Sequence, residues 1–136
     1  MELKKIQEIF QGDRFAREMG AEIVEARQGY ARCVLPLTEH HKNAAGGVMG
    51  GVLFTLADFA FAVAANCEQM TTVSLTSQIN FLSRVKGTCL EAAATCIKAG
   101  RNTCCYHVTI TDDLGTLVAQ LTITGFTAAT GGEGRF

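Results

Sequence analysis

The chain has 136 residues, a formal net charge of −1, and a composition that is 48% hydrophobic and 18% charged. That length suits one domain with a real core, and the apolar fraction excludes a disordered chain. Near-neutrality argues against nucleic acid as the main partner, because phosphate binding calls for a basic surface.

In chain order, Glu2 to Phe10, extending toward Met19, reads as a short helix or pair of helices. Ile6, Ile9, Phe10 and Phe15 supply its apolar stripe, Gly12 interrupts it, and packing is its expected job. Ala21 to Ala26 and Tyr30 to Leu37 then read as strands around a Gln28-Gly29 turn. In the second, Ala31, Cys33, Leu35 and Leu37 share one face, and Pro36 belongs at a strand end or edge. Thr38 to Gly51 is a polar, glycine-rich connection carrying His40, His41, Lys42 and Asn43. It is either solvated surface or a loop of positioning groups held against a buried helix. Spacing alone leaves these two readings level.

Gly46 to Asn66 is the stretch around which the chain is organised. Four glycines fall within the six positions Gly46–Gly51, which suits a tight turn or a close approach to the backbone. Leu, Ala and Phe follow without a breaker, predicting a helix that is apolar, and so buried, on every face. Its length and hydropathy raise a membrane span, but Asp58 at its centre and its Ala-rich character favour a buried soluble helix. Asp58 is the only charged residue in the run, and an unpaired carboxylate there costs several kcal/mol, by order of magnitude, unless compensated. Two readings stand open: the carboxylate is satisfied by a backbone N–H, a hydroxyl or an Arg, or it lines a cleft and does chemistry. The glycine-rich opening favours the second, since a helix N-terminus offers free N–H groups and partial positive charge to a developing oxyanion. Donor and carboxylate then face one cleft, or opposite sides of a cleft shared in a dimer.

The remainder reads as consecutive strands. Thr72 to Leu82 alternates, with Val73, Leu75, Ile79 and Phe81 on one face and Ser74, Thr76, Gln78 and Asn80 on the other. Cys89 to Lys98 and Thr103 to Thr111 follow, then an Asp112-Asp113-Leu114-Gly115 turn and a last strand, Leu117 to Phe126. The tail from Thr130 is expected to be disordered. One long helix and about six strands joined mainly by hairpins imply an α+β fold, an antiparallel sheet wrapped around that helix. The six cysteines form no C-x-x-C pair and the histidines lack zinc-ligand spacing, so no metal is expected. With no signal peptide or targeting tag visible, the cysteines read as reduced thiols and the compartment as the cytoplasm.

His41-x-Asn43-x-x-Gly46-x-x-Met49-Gly50-Gly51, followed by Leu56-Ala57-Asp58, resembles the signature of the hotdog-fold thioesterases of the phenylacetate-degradation type. Val73-Ser74-Leu75, Ile79-Asn80-Phe81-Leu82, Gly100-Arg101 and the Asp-Leu-Gly hairpin resemble that family in the same order, so the likeness covers nearly the whole chain, with residues 1–129 read as a single domain. It implies a hotdog fold, homodimers with shared active sites assembled into tetramers, and hydrolysis of acyl-CoA without metal or bound cofactor. By position, Asp58 matches the nucleophile or general base, and Gly50 the residue whose N–H polarises the carbonyl. Asn43 matches a positioning amide, and Ser74 a hydroxyl that assists the attacking water, with Thr76 on its face as the fallback. Met49 stands where the family most often has His, and a thioether cannot donate a hydrogen bond. Met49, Gly51, Thr76 and His41 are the expected substrate contacts. Arg84, Lys86 and Arg101 are either CoA phosphate contacts or solvated surface cations. Two rivals are a non-catalytic acyl-CoA binding or sensing protein, and a dehydratase or hydratase. The latter ranks last because the central helix holds no histidine.

Overall fold

Small side chains decide how closely helix and sheet approach. Ala57, Ala60 and Ala64 on the helix and Ala31, Ala92 and Ala94 on the strands are fully buried, so the backbones come close without voids. The computed structural model describes residues 2–128; the expected tail from Thr130 lies outside them. The elements are α1 (Leu3–Ile9), a 3-10 turn (Phe10–Gly12), α2 (Arg14–Met19), β1 (Glu22–Arg27) and β2 (Tyr30–Pro36). A second 3-10 turn (Glu39–His41), α3 (Gly50–Asn66), β3 (Thr72–Phe81), β4 (Cys89–Ala99), β5 (Thr103–Asp112) and β6 (Leu117–Thr127) complete the chain. All pairings are antiparallel, in the order β1-β2-β4-β5-β6-β3. This is the sheet-around-helix arrangement expected of a hotdog fold.

α3 packs most heavily on β2 and β4. Phe61 meets Tyr106 edge-on at 5.2 Å, and Phe59 meets Phe10 at 6.3 Å, so the N-terminal segment closes the far side of the core. Pro36 ends β2, as its missing N–H requires. No helix among the described residues is long and apolar enough to cross a membrane.

Two expectations are corrected. Composition predicted a helix buried on every side, yet Gly51 and Phe54 are exposed and Thr55, Asp58 and Ala62 half-buried. These positions recur at helical spacing, so they form one stripe that this chain alone leaves uncovered. The second correction concerns β3. Ser74 pairs with Gly125 and Thr76 with Thr124, which leaves Leu75 as an extra, bulged residue. Directly opposed residues share a face, so Ser74 lies with buried Gly125 on the helix side and Thr76 with Thr124 on the outer side. Uninterrupted alternation would have kept the two hydroxyls together; one inserted residue separates them.

The Asp112-Asp113 turn does more than reverse the chain. The buried Asp112 carboxylate accepts from the N–H groups of Lys86 (2.8 Å), Gly87 (3.0 Å), Leu114 (3.0 Å) and Thr116 (2.9 Å). Asp113 accepts from the N–H groups of Thr88 (2.8 Å) and Cys89 (3.2 Å). Any side chain at Gly87 would collide with the Asp113 carboxylate. Desolvation alone would raise the Asp112 carboxyl, but the four N–H donors outweigh it and hold the group well below the usual carboxylate range. A depressed folded-state pKa contributes stability that is present above the unfolded value, about 3.9, and is lost as pH falls toward the folded one. Melting temperature is therefore expected to drop below about pH 4, and Asp112→Asn to lower it at pH 7 while shrinking the further acid-induced fall. Circular-dichroism melts across pH check both.

Candidate active site

The loop leading into α3 is shaped by Asn43. Its side-chain oxygen accepts from the N–H groups of Ala45 (3.0 Å) and Gly47 (3.1 Å), while its own N–H donates to the Gly47 carbonyl at 2.7 Å. The resulting turn passes through Gly46 at φ +85°, a left-handed conformation that favours glycine. The Asn43 side-chain NH₂ has no partner among the described residues. Gly50 is the first residue of α3, so its N–H has no intrahelical acceptor, and Met49 supplies no side-chain cap. Asn43 and Gly50 line the same groove of about 380 Å³, which Phe81 and Arg84 also line.

Asp58 lies elsewhere. It lines a cavity of about 240 Å³ between α3 and the N-terminal segment, together with Asp13, Arg14, Phe15, Thr55 and Phe59. No hydrogen bond or ion pair satisfies its carboxylate among the described residues. Burial pushes the Asp58 carboxyl up from its ordinary value, and the negative charge of Asp13 adds to that. Eight residues of helix set Gly50 and Asp58 about 12 Å apart along the axis. The groove of one and the cavity of the other share no lining residue.

The remaining candidates divide. Met49, Gly51 and His41 line a third, larger and mainly apolar cavity of about 870 Å³, which meets the Asp58 cavity at Phe15 and Thr55. Met49 is 57% exposed there. His41 is buried, with both ring nitrogens engaged: Nδ1 accepts from the Thr38 N–H at 2.9 Å, so Nε2 carries the proton and donates to the Met19 carbonyl at 2.7 Å. The imidazole thus ties the C-terminal end of α2 to the loop. Ser74 is exposed near the start of β3 on the helix side; Thr76 is on the outer side, bonded to the Thr124 hydroxyl at 2.5 Å. Among the described residues no group of three His, Cys, Asp or Glu side chains is placed to hold a metal ion.

The thioesterase superfamily profile matches residues 45–119, from the Asn43 turn through α3 to the start of β6. The chain belongs to the thioesterase superfamily. It is thereby grouped with enzymes that hydrolyse thioesters. The acyl-coenzyme A thioesterase PaaI of Escherichia coli is 30% identical over 112 residues, covering 82% of this chain and 80% of that one. The structure of the E. coli PaaI protein, from the phenylacetic acid degradation operon, superposes with a TM-score of 0.83, covering 93% of this chain and 92% of that one at 26% identity. The structure of a hypothetical thioesterase protein from Streptococcus pneumoniae, with coenzyme A, matches at TM-score 0.76 and 28% identity, covering 90% of this chain and 96% of that one.

Within this superfamily member, sequence reasoning passed over Asp13, assigning its segment to packing alone. Its sequence context carries no signal, because an Asp directly after the Gly12 break reads as an ordinary helix N-cap. Arg84 was one of three scattered cations; only the fold puts it beside Gly50, because the Asp112–Asp113 turn holds the 86–89 backbone that follows it.

Proposed function

We propose that this chain hydrolyses an acyl-CoA thioester to the free acid and CoA, at a site shared between two copies of the chain. The observation that carries this reading is the half-buried, unpartnered Asp58 carboxylate, tolerated in an apolar helix whose first N–H is also free. A group reacting with one carbonyl must sit about 3 Å from both donor and acid. The helical separation of about 12 Å prevents one chain from doing this. Two chains related by a twofold axis would pair the Gly50 of one with the Asp58 of the other. The edge strand β3, with Leu75 and Phe81 exposed on it and Leu82 just beyond its end, is a surface suited to such pairing.

In this scheme the thioester carbonyl oxygen accepts from the Gly50 N–H, where the helix dipole favours the negative charge that develops. The Asn43 NH₂ positions the substrate or water, and Ser74, on the helix side of β3, assists the water. Two routes are open to Asp58. As a base it takes a proton from water, the resulting hydroxide adds to the carbonyl carbon, and collapse expels the CoA thiolate, which recovers that proton. As a nucleophile it forms a mixed anhydride with loss of thiolate, and water then cleaves the anhydride. Single turnover in ¹⁸O-water tests the second route: unlabelled product with label left in Asp58 marks an anhydride cleaved at the aspartyl carbonyl, an outcome that direct attack of water on the substrate does not give. Met49 and Gly51 flank the acyl group, with His41 bracing the wall behind them. No metal or bound cofactor enters the scheme. Assembly of dimers into tetramers, in the cytoplasm, belongs to the same proposal.

Incubating the purified protein with an acyl-CoA panel and following free thiol tests the activity; inertness toward every member would refute it. Met49 supports one other reading, an acyl-CoA binding protein, because its thioether cannot supply the hydrogen bond of the usual His. Saturable binding without turnover would favour that alternative.

A further inference from the structure

Asp13 occupies the N-cap of α2, a position where Asp ordinarily accepts from the first helical N–H groups. Here it makes no such bond, and no hydrogen bond or ion pair engages its carboxyl among the described residues. It lines the Asp58 cavity instead. Two unsatisfied carboxyls in one partly desolvated space is an arrangement that packing alone would select against.

We propose that Asp13 is a positioning residue for the hydrolysis: it shares the Asp58 cavity, and the two acids titrate as one coupled unit that keeps a proton beside the reacting carboxylate. The inference rests on the reading of Asp58 as the catalytic acid. Like charges confined together cannot both ionise at their ordinary pH, so the pair loses its protons in two separated steps. The neutral partner can then donate a hydrogen bond to the ionised one, orienting it toward the carbonyl. Burial raises both carboxyls, which favours keeping a proton in the cavity, and the Asp13 charge adds to the rise at Asp58.

The other charged group lining the cavity is Arg14, on the α2 side, and no ion pair joins it to either acid. Beyond Phe15 and Thr55, Glu18, Glu22, His40 and His41 line the adjoining cavity; of the charges around Asp58, Asp13 is the one that shifts it. α3 itself brings no second charge, since Asp58 is the only charged residue between Gly50 and Asn66.

The test combines a pH–rate profile with a titration that needs no turnover. In the parent, the acid limb of kcat/KM is expected above the ordinary carboxylate range. Asp13→Asn, which keeps the donor but cannot ionise, should abolish the fall in rate expected at higher pH, where Asp13 in the parent gives up its proton, whereas Asp13→Ala, which has no donor, should lower kcat by about tenfold or more across the profile. Arg14→Gln should leave the limb in place. Independently, ¹³C titration of the aspartate carboxyls in the parent should show two separated, mutually dependent steps for Asp13 and Asp58. Independent titration of the two at ordinary values, or an Asp13→Asn profile that overlays the parent, overturns the proposal. If coupling is present but Asp58→Asn hydrolyses at the parental rate, the catalytic reading has failed instead, and the proposed role falls with it. The parental titration stands even if Asp13→Asn misfolds.

Discussion

Asp58→Asn is expected to lower kcat by about 10²–10⁴-fold, the range typical of a removed general base, while raising the melting temperature at neutral pH. The two effects share one origin. Burial, and then the Asp13 charge, lift the Asp58 carboxyl above its ordinary value in the folded chain. A raised acid binds its proton more tightly folded than unfolded, so stability is lost as pH rises through the folded value. Near neutrality the ionised group works against the fold, and the neutral amide relieves that. Melting curves at pH 5 and pH 8 should show the gain growing with pH. A mutant that is both fully active and less stable would mean that the carboxylate is held for structural reasons, and the catalytic assignment would go.

Gly50→Pro should cut kcat by about 10²–10³-fold, as expected for the loss of one oxyanion donor, and leave the helix intact. Proline is well tolerated at the first helical position. Met49, at φ −66° and ψ 137°, already has the extended backbone that a residue before proline needs. The substitution therefore removes the N–H and little else. Gly50→Ala is the control, retaining the donor; its Cβ would come 3.2 Å from the Phe81 ring, which is 59% exposed and can give way. Mixing the two inactive chains extends the test. If donor and acid come from different copies, a hybrid of Asp58→Asn with Gly50→Pro regains one intact site. An exchanged equal mixture should then recover about a quarter of the parental rate. Recovery of nothing from hybrids shown to form would place both groups in one chain.

Strand positions were legible because buried small and branched residues alternate along β2, β4, β5 and β6 with few interruptions. β3 was legible in extent but not in facing, since the Leu75 bulge leaves no mark in a pattern of Ser, Leu and Thr. Gly46 and Gly50 announced a special backbone, and a lone Asp58 in an apolar run announced a partly buried carboxylate. What alternation and motif spacing could not convey is three-dimensional grouping. His41 carries the signature of a contact residue, yet its two nitrogens are used on Thr38 and Met19. Asp13 lies 45 positions before Asp58, and only the docking of α2 on α3 brings them to one cavity.

The tip between β5 and β6 is the sort of surface bend where evolution ordinarily inserts or deletes residues freely. Here that freedom is withdrawn. Lengthening the bend would pull two carboxylates off six backbone amides, four of them in the segment that follows Arg84. Variation in the length of related chains should therefore accumulate at other bends, and this one should keep its size.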